Sequence, residues 1–410
     1  LDENRQGLIG KPLNRVDGRL KVMGKAPYAY EVQEDAQAAH AAYGYIVEAT
    51  IAKGTIAAID TAAAERSPGV LLVMTHKNAP KQAAWGPLDA KDRFARASPQ
   101  LGNNRVDYYG QAVAFVVAKN FEQARSAAHL IKVSYSAEPG DYELAPNVAK
   151  GEKPNDQFGQ RTDSLIGDFE PAFAAADIKL DATFTTPAHI HAQMEPHATL
   201  AYWKDGHVII HCSAQLLVSA KNAVANTLKI APSKVRIVSR YIGGGFGGKL
   251  PVFGDVMLSA MASRQLDRPV KTALTRQQMF HFTTHRSDTI QRLRLGASKD
   301  GKLTAIAHET WSHSARFDNF FESASVQTRT LYAAANRMTT HRLVKLDLPI
   351  SDSTRAPGES VGMLALEQAM DEMAEKLQLD PIEFRIRNEP TMDPEQNIPF
   401  SSRQLVGCMR

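Results

Sequence analysis

The stretch Tyr241-Ile242-Gly243-Gly244-Gly245-Phe246-Gly247-Gly248-Lys249 follows the strand-like run Val235-Arg236-Ile237-Val238-Ser239, and the rest of the chain is organised around it. Its five glycines around one aromatic side chain leave a backbone that can take positive φ and approach another body closely, because no Cβ intervenes. That body is either a bound cofactor or a neighbouring strand, since glycine in a strand pattern also marks bulges and close backbone packing. Two nucleotide-binding patterns compete for the same residues. Gly243, Gly245 and Gly248 satisfy G-x-G-x-x-G, with Asp267 about twenty residues on. In a dinucleotide fold that acidic residue ends the second strand, whereas Asp267 precedes the strand-like run Arg268-Pro269-Val270-Lys271-Thr272-Ala273-Leu274. A phosphate-cradling P-loop needs Ser or Thr after its Lys to hold magnesium, and Leu250 follows Lys249.

A chain of 410 residues predicts two or three domains, and its 43% hydrophobic content can build sizeable cores. Forty-eight basic and 44 acidic residues leave a net charge of +4 without a basic block, which gives no case for nucleic acid. Two cysteines, Cys212 and Cys408, cannot form a disulfide framework or a Cys-rich metal site. Any iron–sulfur chemistry must therefore come from another chain. No apolar run approaches the roughly 20 residues of a membrane-spanning helix. Leu1-Asp2-Glu3-Asn4-Arg5 has no apolar leader pattern, so any export signal is expected to lie outside these residues.

Residues 1–24 are polar and punctuated, and predict an N-terminal arm. An α+β unit follows over 25–140, with strands expected at 43–51, 70–75, 112–118 and 131–135. Asn120 is the N-cap of a helix from Phe121 to about Leu130, with Gln123 at its third position. Residues 141–164, rich in Pro, Gly, Asn and Asp, predict a linker. A second unit, 165–410, carries Asp205-Gly206 and Asp300-Gly301 between apolar runs, both hairpin signals. A helix is expected over 256–264. Met363, Leu366, Met370, Met373 and Leu377 recur at helical spacing, which predicts one face of a helix packed in the core. Asp380-Pro381-Ile382-Glu383 supplies an N-cap, a first-turn proline and a third-position glutamate for another.

Two clusters could carry chemistry. His189, His191, Glu195 and His197 lie within nine residues and could form a metal site, but Pro196 interrupts the element, so histidines hydrogen-bonded along an active-site wall fit better. Ser353-Thr354-Arg355-Ala356-Pro357-Gly358-Glu359 places an arginine on a Pro-Gly turn ahead of a helix. There its fork of donors either suits an anion or polarised oxygen, or simply meets solvent.

The stretch 243–249 resembles the molybdenum-binding subunit of the xanthine dehydrogenase/aldehyde oxidase family. So do Arg15-Val16-Asp17 with Lys21, Gly24 and Tyr28, then Met194-Glu195-Pro196-His197, and Arg355-Ala356-Pro357-Gly358. The connecting segments Tyr43-Gly44-Tyr45-Ile46-Val47 and Leu346-Asp347-Leu348-Pro349 are similar to the bacterial, aldehyde-oxidising, periplasmic members, which have three chains. The resemblance implies an α+β chain: an aldehyde oxidase/xanthine dehydrogenase α/β hammerhead domain followed by the first part of the molybdopterin-binding domain. It implies molybdopterin cytosine dinucleotide with molybdenum as cofactor, without direct protein ligands to the metal. Electrons would leave through a 2Fe–2S subunit to an FAD subunit, and a small aldehyde would be oxidised to its acid with water as oxygen source.

By the same resemblance Gly244, Gly245, Phe246 and Gly247 approach the cofactor, and Arg355 reaches the metal centre or the substrate oxygen. His189 stands where the family carries a glutamine. Leu250 stands where purine hydroxylases carry a glutamate, which favours an aldehyde over a purine. The family's catalytic glutamate is expected beyond Arg410, on a second chain or chain segment that completes the molybdopterin domain. The alternatives are an N-heterocycle hydroxylase with the same cofactor, or a non-catalytic scaffold; the compartment implied is the periplasm, with the cytoplasm as alternative.

Overall fold

A computed structural model describes residues 5–32, 39–157, 159 and 161–410. Its central element is a seven-stranded sheet in the order Val235–Val238, His207–Cys212, Ala198–Lys204, Val270–Ala273, Ala42–Glu48, Ala112–Ala118, Val70–Thr75. Three of these strands come from before residue 120 and four from after 197. The two groups join where Ala42–Glu48 runs parallel to Val270–Ala273, with Ala42 opposite Val270 and Gly44 opposite Thr272. No local pattern signals this join, because parallel strands are paired by a crossover and not by a turn.

The helix Gly254–Leu266 seals the join from one face. Leu258, Met261 and Ala262 pack with Ala42, Phe115 and Val270, while Val256, Met257 and Ala260 pack with Ala201, Val208 and Ile210. Residues 254–263 are all buried, as expected of a helix with small residues on several faces. The apolar strand Ala112–Ala118 is buried at every position, in keeping with its unbroken hydrophobic run. A separate three-stranded sheet, Arg105–Val106, Gly54–Asp60, Lys132–Ala137, flanks it.

A five-stranded sheet, in the order Ser164–Ile166, Asn336–Leu346, Leu303–Ala315, Thr289–Ala297, Ile178–Thr186, builds the other core. Ile306 and Leu293 face the helices Glu359–Leu377 and Pro381–Arg387, and Ala305 and Ala307 face Phe169 on the opposite side. Leu366, Met370 and Met373 are fully buried there, but Met363 is 39% exposed, so the methionine stripe leaves the core at its first residue.

Both Asp-Gly signals sit in antiparallel hairpins, joining Ala198–Lys204 to His207–Cys212 and Thr289–Ala297 to Leu303–Ala315. Both predicted caps form: Asn120 Oδ1 accepts from the Gln123 N–H at 2.9 Å, and Asp380 Oδ1 from Ile382 and Glu383 at 2.8 and 3.0 Å. The strand expected over 43–51 ends at Glu48, where the ladder shifts register. Residues 141–157 lie against the five-stranded sheet: Leu144 is buried with Val344 and Leu346, and Glu152 bridges Leu343.

Candidate functional site

The glycine run leaves the sheet after Val238 and turns before the helix Gly254–Leu266. Gly244, Phe246 and Gly247 take φ of +96°, +52° and +99°. A Cβ on Gly247 would lie 2.0 Å from the Ser353 carbonyl oxygen, so this position requires glycine both for its backbone and for its neighbour. Three chain segments converge on the turn: residues 191–197, Gln215, and 353–355.

Each segment ties down part of the backbone. The Gly243 N–H donates to Glu195 Oε2 at 2.7 Å, and the Gly247 and Lys249 N–H groups donate to Gln215 Oε1 at 3.2 and 3.1 Å. Gly248 donates to the Gly245 carbonyl at 2.8 Å, and Arg355 donates from its own N–H to the Phe246 carbonyl at 2.9 Å. Between these ties, the N–H groups of Gly244, Gly245 and Phe246 have no protein acceptor among the described residues. The Gln193 side-chain amide beside Gly244 is likewise buried without a partner.

Beneath the turn, the wholly buried Lys249 extends its ammonium to Glu195 Oε2 at 2.8 Å and to the Glu195 carbonyl at 3.0 Å. Burial pulls the Lys249 pKa down and the Glu195 carboxylate opposes it. Burial also pushes His197 down to about 3. A neutral ring whose Nε2 lies 2.8 Å from the Gly248 carbonyl oxygen must carry its proton there and donate. His191 is held down by burial too, and its Nε2 donates to the Ser353 carbonyl at 2.9 Å.

His189 and Arg355 complete the set. His189 is exposed and pairs its backbone with Arg286 through two hydrogen bonds of 3.2 and 2.8 Å. Arg355 is exposed beside Ala356 and Gly358, which take φ of +57° and +85°. The N-terminal arm reaches the same turn: the Lys21 ammonium lies over the Tyr241 ring at 5.9 Å, and the Tyr28 ring packs on it at 5.9 Å between centroids. The structure thus brings Gly244, Gly245, Phe246, Gly247 and Arg355 together directly, and His189 through Arg286.

The donor set has a definite chemical preference. Consecutive backbone N–H groups in a turn of this kind form an anion-receiving concavity, and the backbone of Arg355 is tied to that turn. They suit the oxygen-rich ligands of a prosthetic group better than a bare cation. Among the described residues no three His, Cys, Asp or Glu side chains converge as a metal-ligand set. The four candidates of 189–197 are spread instead over Arg286, Ser353, Lys249 and Gly248. The residues present fit an oxygen-rich, anionic prosthetic group.

Gln215, Arg286 and Glu322 are the residues that sequence reasoning missed. Each lies in a segment without motif or periodicity, and each matters only through a partner more than 30 residues away.

Fold and donors together define a protein that presents a backbone cradle to an anionic prosthetic group. Residues 150–389 match the family described as molybdopterin cofactor-binding domain, and residues 23–139 match the aldehyde oxidase and xanthine dehydrogenase a/b hammerhead domain. The chain belongs to the aldehyde oxidase and xanthine dehydrogenase family of molybdopterin-binding proteins. It is 46% identical over 404 residues to the aldehyde oxidoreductase molybdenum-binding subunit PaoC of Escherichia coli (strain K12), covering 98% of this chain and 53% of that one. It is 26% identical to the nicotinate dehydrogenase large molybdopterin subunit of Eubacterium barkeri, covering 93% of this chain and 89% of that one. Its fold superimposes on the aldehyde oxidoreductase from Desulfovibrio gigas with a TM-score of 0.84 at 24% identity, over 97% of this chain and 45% of that one. The chain spans about half the length of the first curated relatives it matches.

Proposed function

We propose that this chain forms one wall of the catalytic centre of a molybdenum hydroxylase that oxidises a small aldehyde to its carboxylic acid, with water as the oxygen source. The observation that carries the proposal is the row of N–H groups at Gly244, Gly245 and Phe246 beside Arg355, free of protein acceptors among the described residues. The cofactor is molybdopterin in its cytosine dinucleotide form, and when bound it supplies the redox centre that takes two electrons from the substrate. Those electrons leave through a 2Fe–2S subunit and an FAD subunit, and the complex works in the periplasm.

Within this chain, Gly244, Gly245 and Phe246 donate hydrogen bonds to oxygen atoms of the cofactor or substrate, in place before the reaction begins. Arg355 stabilises negative charge that develops on the substrate oxygen. Phe246, 48% exposed, offers the apolar surface that keeps water from the reacting face. His189, where the family's glutamine stands, donates one hydrogen bond.

Glu195 is committed to holding the turn, its Oε2 accepting from the Gly243 N–H and pairing with the Lys249 ammonium. The family resemblance assigns the base to a glutamate outside these residues. Aldehyde is favoured over an N-heterocycle by the 46% identity to the aldehyde oxidoreductase subunit and by Leu250 in place of an acidic side chain. Metal and nucleotide analysis of the purified complex tests the proposal: molybdenum and cytosine dinucleotide are expected in equal amounts. A complex with neither would overturn it.

A further inference from the structure

Resting on the role of Arg355 just proposed, we infer that Arg286, clamped by Glu322, is the positioning residue that aims Arg355 at the site. Arg286 is 2% exposed and Glu322 is fully buried. The Arg286 guanidinium donates to three successive carbonyls of the arginine loop: Thr354 at 2.8 Å, Arg355 at 2.7 Å and Ala356 at 3.4 Å. A fourth N–H, on Nη1, goes to Glu322 Oε1 at 2.8 Å, and the same oxygen accepts the Gly358 N–H at 2.7 Å. The backbone of Arg286 meanwhile pairs in both directions with His189. One residue thereby fixes two of the groups placed around the cofactor, and touches neither cofactor nor substrate itself.

The loop needs this clamp for a physical reason. Ala356, at φ +57° ahead of Pro357, holds a conformation that a non-glycine residue seldom takes. A planar fork with fixed donor directions can hold three carbonyls in one arrangement, whereas a single ammonium cannot. The buried guanidinium has its acidic partner in Glu322, 2.8 Å away in the same hydrogen-bond network, although burial pushes that carboxyl up to about 7. The exposed guanidinium of Arg355 is thus aimed through its backbone.

The test uses the assembled, molybdenum-loaded complex with Arg286→Lys, Arg355→Ala and the double variant. Arg286→Lys is expected to lower kcat about 10–100-fold with molybdenum content unchanged. In the Arg355→Ala background it is expected to lower kcat less than about twofold, because the substituted side chain acts through Arg355 while the backbone pairing with His189 is kept. Amide hydrogen exchange supplies a readout independent of turnover: peptides covering 353–359 should exchange faster in Arg286→Lys while those over the five-stranded sheet do not change. Equal losses in both backgrounds, or unchanged exchange over 353–359, would overturn the inference. Should Arg286→Lys fail to assemble, Glu322→Gln keeps the acceptor for Gly358 and removes only the counter-charge. The same non-additivity is expected of it, at smaller amplitude, and additivity would count against the clamp. Unchanged turnover in Arg355→Ala alone would remove Arg355 from the site and this inference with it, while molybdenum analysis would still decide the family chemistry separately.

Discussion

Arg355 combines an exposed guanidinium with a backbone held at both ends, its N–H on Phe246 and its carbonyl on Arg286. Such an arrangement keeps a charged group available while removing most of its freedom to wander. Arg355→Ala should therefore lower aldehyde turnover about 10²–10³-fold, as loss of a preorganised oxyanion donor does, with the complex still assembled by size-exclusion chromatography. The arginine was visible in the sequence as a residue on a Pro-Gly turn, but its clamp was not, because nothing local ties residue 286 to residue 355.

Asp255 poses the opposite case, a carboxyl that is fully buried. Burial pushes it up to about 6, and the Thr199 hydroxyl at 2.7 Å only partly offsets that. Between the ordinary carboxylate range and about pH 6 the folded chain binds a proton that the unfolded chain releases, so this group costs stability as pH rises through that window. Asp255→Asn removes the titration. Its stability relative to the parent should improve by about 2 kcal/mol between pH 4 and pH 7, read from thermal midpoints at each pH. A relative stability that does not move with pH would refute the assignment.

Among the elements, the glycine turn is the one whose sequence and structure agree most closely, and the reason is steric. Gly247 combines φ +99° with a Cβ position 2.0 Å from the Ser353 carbonyl oxygen, which is backbone and cannot rotate away. Gly247→Ala should displace residues 353–355 and reduce turnover as strongly as Arg355→Ala. It should also lower the thermal midpoint by several degrees, on the order of 1–3 kcal/mol of strain. An alanine variant with parental activity would separate the turn from the arginine loop.

Other elements divide by how local their signals are. Asn120 and Asp380 announced their helices because a cap is read within three residues. The strand Gly54–Asp60 went unread because its alternation is broken by a bulge between Ile56 and Ala58 and carried by small alanines. The run 141–164 was legible as irregular from its composition. Its packing was not, since Leu144 gains its meaning from Val344 and Leu346, some 200 residues later.

At the scale of the molecule, the decisive feature is the join in the seven-stranded sheet. Gly44 sits at that join, and a Cβ there would lie 2.2 Å from the Phe115 ring and 2.5 Å from Thr272 Oγ1. Gly44→Ala should thus destabilise the chain by about 1–3 kcal/mol, measured by denaturant unfolding, through overpacking between the two groups of strands. The family resemblance made both halves legible as an α/β hammerhead domain followed by molybdopterin-binding sequence, and the matches at 23–139 and 150–389 agree with it. The shared sheet was beyond the reach of periodicity, which describes single elements and not their pairing.

That join also sets a schedule for synthesis. Ala42 and Val270 are separated by roughly 230 residues, so at the usual pace of translation the edge of Ala42–Glu48 waits roughly 10–50 s on the ribosome before its partner strand emerges. During that interval Tyr43 and Gly44 present unpaired backbone groups to the cytosol, a template for pairing with the wrong chain. A cell making many copies at once would therefore lose material to aggregation before any cofactor could be loaded, and a lower expression level should raise the soluble fraction of the chain.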